Sequence, residues 1–367
     1  MTFRVTCLLY LILVFNFLTG CNTEKQNEDE KVSELKSEKD SKDKLPVLVA
    51  EFDGIQVTGV SVSSNGRVFA NFPRWRPDIN MSVAEVDEAT GSHSPYPNKV
   101  WNSWKSGSPI SDSTFVAVQS VLVKDNKLFV LDTRNPFFQG LIGQPKLFVF
   151  NLDDDKLERV YSFPEGTVKP NSYVNDLRID RKRNKIYLTD SNEPGLIILD
   201  MESGESFRVL DNHYSTRAET DYLKIDTITW KGTVHSDGIA LNPKTDELYY
   251  HALSGYTLYS ISVDSLIQGS NTIENAVNRI ARTSAPDGMI FDSKGNLYYA
   301  DLEKHRIMFM TPDKSQHILV DNINVSWADT FSIYNGFLYY TNSKIHLAGA
   351  DVNNMVFSIY KISIDHL

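Results

Sequence analysis

The chain has 367 residues, 41% of them hydrophobic and 23% charged, with a formal net charge of -10. That length supports one large domain or two ordinary ones. The negative charge speaks against a nucleic-acid partner and for cationic ligands or metal ions.

In chain order, the first segment is a signal, residues 1–20. Arg4 supplies a positive start, and Cys7 to Leu18 form an apolar run too short to span a bilayer as a helix. Leu18-Thr19-Gly20-Cys21 then reads as a bacterial lipobox. It predicts lipidation at Cys21 and a place in the bacterial cell envelope, with the membrane reached through the lipid alone. A plain secretory signal with a chance cysteine is the competing reading. Cys7 and Cys21 are the two cysteines of the chain, so the mature domain carries no thiol, disulfide or cysteine-ligated zinc. Residues 21–44 follow as a tether; from Asn22 to Lys44 eight acids and six bases leave only Val32 and Leu35 as aliphatics. Such a segment cannot bury a core. Residues 45–367 remain as the folded domain, expected to be a monomer.

That domain repeats. VTGVSVSSNGRVFANF, VQSVLVKDNKLFVLD, VNDLRIDRKRNKIYLTD, SDGIALNPKTDELYYH, PDGMIFDSKGNLYYAD and WADTFSIYNGFLYYTN each hold a strand, a turn and an aromatic strand. Gly59, Gln119, Asp176, Asp237, Asp287 and Asp329 precede Phe69, Phe129, Tyr187, Tyr249, Tyr298 and Tyr339 by 10 to 12 residues. Third and fourth strands such as KLFVFNL and LERVYSF follow most copies. Four antiparallel strands repeated six times predict an all-β, six-bladed β-propeller. The sixth copy lacks a fourth strand, and PVLVAEF, Pro46 to Phe52, is expected to supply it and close the ring. An immunoglobulin-like array would repeat at about 100 residues instead.

In a propeller the first strand of each blade lines the tunnel. The start of these strands gathers Gly59, Gln119, Ser120, Asn175, Asp176, Asp237, Asp287 and Asp329 at one mouth. The three acids Asp237, Asp287 and Asp329 could contact a cationic ligand, hold a metal or act as bases; converging carboxyls raise one another's pKa unless a cation is present. The competing reading is that each caps loop amides beside a turn glycine. Trp327, two residues before Asp329, and Trp230 are candidate aromatic walls for a cation, against core packing. His235, two residues before Asp237, is the candidate proton shuttle. Asp132, Asp190 and Asp301, which end second strands, are expected to hold turns. No G-x-S-x-G, H-E-x-x-H, P-loop or dinucleotide fingerprint occurs.

The segments GVSVSSNGRVFANFPRW, FVLDTRN, VNDLRID, HSDGIALNPKTDELYYHALSGYTLYSI, DGMIFDSKGNLYYADLEKHRI and WADTFSI resemble, in order, the major royal jelly protein/Yellow family. The resemblance implies a secreted six-bladed propeller; insect members include proteins of pigment pathways linked to dopachrome conversion, binders of biogenic amines and nutritive proteins. The cysteines that those members use for disulfides are missing here. More distantly the chain is similar to the gluconolactonase/senescence-marker propellers, which hold a divalent cation in the tunnel with Glu, Asn and Asp. That resemblance implies Ca²⁺ or another divalent ion on Asn175, Asp237 and Asp287, although Thr58 and Gly59 stand where the first-strand Glu would be. Together these features predict a small polar or cationic ligand at the tunnel mouth, contacted by Ser120, Asn175, Asp176, Asp237, Asp287, Asp329 and Trp327. The alternative is a cation-dependent lactone hydrolase or a tautomerase, with Asp176 or His235 moving protons. A protein-interaction scaffold is the third.

Overall fold

The computed structural model describes residues 45–77, 79–268 and 273–367. The signal, Cys21 and the tether lie outside the described residues. Six four-stranded antiparallel sheets follow one another around a ring. Their inner strands are Gly59–Val62, Val118–Lys124, Val174–Asp180, Ser236–Leu241, Met289–Phe291 and Ala328–Tyr334, one for each of blades 1 to 6. The outer strand of blade 6 is Val47–Asp53, which pairs antiparallel with Val356–Ser363. The N-terminal strand therefore closes the ring, as the missing fourth strand of the last repeat predicts.

The repeat exists because each blade must seal against the next. The second-strand aromatics Phe69, Phe129, Tyr187, Tyr249, Tyr298 and Tyr339 are all at most 2% exposed. Phe69 packs with Val118 and Leu128 of blade 2. Tyr187 packs with Ile239 and Leu248 of blade 4, and Tyr339 reaches across the closure to Val60 and Val68 of blade 1. Burying each ring contributes about 2–3 kcal/mol, delivered six times at the blade seams.

The inner strands are irregular where the site lies. Their pairing with the second strand slips between Val118 and Ser120, Val174 and Leu177, Ser236 and Ile239, and Ala328 and Phe331. Such a bulge leaves residues out of the ladder and re-aims their side chains. The residues left out are Gln119, Asn175 and Asp176, Asp237 and Gly238, and Asp329 and Thr330. In blade 5 the strand begins only at Met289, so Asp287 and Gly288 stand ahead of it.

The glycines of the two Asp-Gly pairs are set by crowding at the axis. A Cβ on Gly238 would lie 2.4 Å from the Asp287 carbonyl oxygen, and one on Gly288 would lie 2.4 Å from that of Asp329. The Gly288 N–H donates to this same Asp329 oxygen at 2.7 Å. Gly288→Ala must push two inner strands apart, and is expected to cost about 1–3 kcal/mol of stability. Urea unfolding of the variant checks this; a midpoint equal to wild type would show that the strands have room to yield.

A hairpin between two blades has no counterpart in the repeats. A two-stranded hairpin, Tyr222–Ile225 with Ile228–Lys231, stands between blades 3 and 4. Leu223 and Ile225 anchor it in the core that holds Trp327 and Tyr298, and the Lys224 N–H is held by Glu303 at 2.8 Å.

Candidate functional site

At the bulged ends of the inner strands lies a cavity of about 260 Å³. Three acids, Asp237, Asp287 and Asp329, face it, with Gln119 and Asn175 beside them. Its walls are aromatic. Trp75, Phe138 and Tyr173 come from the half of the ring formed by blades 1 to 3, with Phe138 stacked on Tyr173 at 4.8 Å. Trp230 and Trp327 come from the other half and meet edge to face at 5.2 Å. Among the described residues, no Lys, Arg or His lines it.

The polar side chains form one directional chain. The Trp75 indole N–H can only donate, and it donates to the Tyr173 hydroxyl at 2.6 Å. Tyr173 must then donate onward, to Gln119 Oε1 at 2.7 Å. Gln119 passes its N–H to Asn175 Oδ1 at 2.8 Å, and Asn175 passes its own to Asp237 Oδ2 at 2.6 Å. From the other side the Trp327 indole donates to Asp287 Oδ2 at 2.6 Å. Donors from both halves of the ring thus converge on the Asp237–Asp287 pair.

That pair shares a proton. Burial, the neighbouring Asp287 and Asp176 charges and donation to Asp287 hold the Asp237 carboxyl well above the usual carboxylate range. Burial also lifts Asp287, but the bonds from Trp327 and Asp237 hold it to about 7. Asp237 is therefore the donor and Asp287 the acceptor. Asp329 is likewise raised by burial and by the charges of Asp287 and Asp237.

The residues expected at the mouth do not all meet there. Asn175, Asp237, Asp287, Asp329 and Trp327 line the cavity; Ser120, Asp176 and His235 are not among its lining residues. Asp176 is paired with Arg178 at 2.9 Å and accepts the Ser120 hydroxyl at 3.0 Å. Arg178 also donates to the Met289 carbonyl at 2.6 Å, so its guanidinium spans the axis from blade 3 to blade 5. Asp176 and Ser120 hold that crossbar, which leaves the carboxylate engaged with a fixed cation. His235 Nδ1 accepts the Ala218 N–H at 2.9 Å, and burial lowers its pKa. It fastens a loop.

The fit of a divalent cation to Asn175, Asp237 and Asp287 can be judged from their donors. Ca²⁺ takes six to eight oxygens. Here Asn175 turns its N–H₂ toward Asp237 and gives its oxygen to Gln119, while Asp287 commits one oxygen to an indole. In blade 1 the space of a first-strand side chain is filled by the Asn71 carboxamide, whose Oδ1 would lie 1.8 Å from a Cβ on Gly59. Among the described residues no group of three or more His, Cys, Asp or Glu side chains is placed to hold a metal. These side chains do not fit such an ion; they form a hydrogen-bonded chain and not an oxygen cage.

The acids and amides ending second strands position the site from behind. Asp132 accepts the N–H groups of Val116 and Ala117 at 2.7 and 2.8 Å. Asp190 accepts that of Tyr173 at 2.9 Å, and Asn342 that of Trp327 at 2.9 Å. Asp132 and Asp190 are thus turn holders, as expected from their place, and Asp190 and Asn342 fix the backbone under two walls of the cavity.

Trp75, Phe138 and Tyr173 went unrecognised in the sequence as site residues. Trp75 and Phe138 sit in loops outside the repeat. Tyr173 had a usable signal, because it stands two residues before Asn175 as Trp327 does before Asp329.

Known proteins agree with this architecture. The chain matches Major royal jelly protein 7 of Apis mellifera at 25% identity, over 56% of this chain and 49% of that protein. It matches Protein yellow of Drosophila melanogaster at 25% identity, over 56% of this chain and 41% of that protein. The chain thus spans less than half the length of these relatives. Among solved structures, a luciferin-regenerating enzyme superposes with a TM-score of 0.55 at 11% identity, covering 87% of this chain and 95% of that one. A gluconolactonase of Xanthomonas campestris gives 0.55 at 11% identity, covering 87% and 89%. Such identities establish the fold alone. The sequence model of the major royal jelly protein family matches residues 116–366, from the approach to blade 2 to the end of blade 6, and the chain belongs to that family.

Proposed function

We propose that the cavity binds a small organic ammonium ion with a flat apolar body. The carrying observation is the charge deficit: three buried acids face one aromatic-walled cavity that no cation lines among the described residues. Buried charge is either neutralised or paired. Without a ligand, protons do this at Asp237 and Asp329; an ammonium ion does it better, because its N–H groups can reach two carboxylates while the indole faces attract the same charge. The cavity, about 260 Å³, lies at the lower end of small-molecule pockets, which favours a ligand of one or two rings.

The test is calorimetry and thermal unfolding with matched probes, a primary arylalkylamine such as 2-phenylethylamine against its neutral alcohol and its carboxylic acid analogue. The amine is expected to stabilise by about 2.7 kcal/mol at a hundredfold excess over Kd. Stabilisation by the acid but not by the amine would refute the proposal.

The shared proton supports a second reading, a tautomerase in which Asp287 removes a proton and Asp237 donates one. Solvent deuterium uptake into an enolisable ketone, abolished in Asp287→Asn, would move the assignment to that chemistry. A cation-dependent lactonase draws no comparable support from the donor arrangement.

A further inference from the structure

Phe138 occupies an unusual position. Arg134, Phe137 and Phe138 all have positive φ, at 52°, 61° and 56°. This left-handed region is unfavourable for bulky side chains, and two successive phenylalanines there are a marked outlier. Core packing does not explain it, because Phe138 is 58% exposed. The surroundings nevertheless enforce it. The Phe137 N–H donates to the Arg74 carbonyl at 2.9 Å, and the Leu141 N–H to that of Pro170 at 2.9 Å. Asn135 accepts the Gly140 N–H at 2.9 Å and donates to the Ser172 carbonyl at 3.0 Å. The loop of blade 2 is thus tied to blade 1 and to the approach to blade 3. What the strain achieves is the placement of one ring, stacked on Tyr173 at 4.8 Å and 5.8 Å from Trp75, at the lip of the cavity.

We infer that Phe138 is a specificity-determining residue: its exposed ring is the outer jaw of the cavity, held open to solvent by a strained loop so that it can cover the flat body of the bound ion. This rests on the ammonium-binding reading of the site. It extends that reading by assigning recognition of the apolar body to a residue outside the acidic pair, and it explains why the loop tolerates its backbone.

Two kinds of measurement test it together on the full chain with 2-phenylethylamine as probe. Phe138→Ala and Phe138→Gly are both expected to weaken binding about tenfold or more, while Phe138→Tyr retains it. Without ligand, Phe138→Gly is expected to unfold about 1–3 °C above Phe138→Ala, reversing the usual order, because only glycine accepts this φ freely. Equal affinity in wild type and both truncations would overturn the inference while leaving the binding site intact. Equal midpoints for Ala and Gly would overturn the strain on which it stands. A wild-type protein that binds no arylalkylamine would refute the reading of the site, and this inference with it.

Discussion

Asp287→Asn is expected to fold normally and to lose ammonium binding by about 30-fold to 3,000-fold. Asp287 is where the donor chains end: it accepts the Trp327 indole at 2.6 Å and the proton of Asp237. The amide oxygen can still accept from Trp327 and from the protonated Asp237, so the hydrogen-bonded chain survives. What disappears is the carboxylate that a bound cation would meet. Truncating one partner of a buried, hydrogen-bonded charge pair costs about 2–5 kcal/mol, and every 1.4 kcal/mol is tenfold in affinity. Titration calorimetry with 2-phenylethylamine measures the loss. A variant that binds within threefold of wild type would show that Asp287 does not meet the ligand. Asp190→Asn is the appropriate contrast. That carboxylate accepts the Tyr173, Asn192 and Glu193 N–H groups and is paired with Arg208 at 3.0 Å. The same chemical change there removes support for the fold, so its effect belongs in the unfolding midpoint.

The contrast between these two aspartates also marks what sequence reasoning reaches. The propeller is legible because a blade cannot bury its faces alone. The aromatic that recurs from Phe69 to Tyr339 is the seal against the following blade, and a physical need met six times leaves a period in the sequence. The acids at the mouth are legible for a related reason, since the start of an inner strand is a fixed place in every blade. Less visible is which of two adjacent polar residues faces the cavity. At Asn175 and Asp176 both lie within the same bulge, yet Asn175 continues the chain to Asp237 while Asp176 is drawn to Arg178. That choice depends on Arg178 spanning to Met289, a partner 111 residues away. The same limit applies to His235 and Trp327. Each stands two residues ahead of a mouth acid, but one ring caps the Ala218 amide and the other walls the cavity. The loops and the hairpin that carry Trp75, Phe138 and Trp230 differ from blade to blade, so no period announces them.

The second large effect is on pH dependence. The three cavity carboxyls are raised in the fold, as burial also raises Asp132 and Asp301, so the native state holds protons that the unfolded chain releases at about pH 4. Where the native state binds more protons, unfolding free energy falls as pH rises. The stability that these protons confer is fully present below the unfolded pKa and is lost as pH climbs through the folded values, about 7 for Asp287, with Asp237 and Asp329 also held well above the usual carboxylate range. Below pH 6.5 the buried His251 and the half-buried His346, both held down to about 4 chiefly by desolvation, act in the opposite sense, since they resist protonation in the fold. The window from pH 7 to 9 therefore isolates the carboxyls, with Arg178, Asp176 and Tyr173 as the other ionisable groups around them. Each carboxyl still protonated contributes a slope of about 1.4 kcal/mol per pH unit. Asp237→Asn is the decisive variant. Its amide accepts from Asn175 and donates to Asp287 as the protonated acid does, but it cannot ionise. Urea unfolding at pH 7, 8 and 9 is expected to show ligand-free wild type losing stability steeply and Asp237→Asn losing less. Saturating 2-phenylethylamine is expected to flatten the wild-type profile, because the bound ion takes over the work of the shared proton. Parallel profiles for wild type and Asp237→Asn would show that this carboxyl is ionised in the fold, and would remove the shared proton from the description of the site.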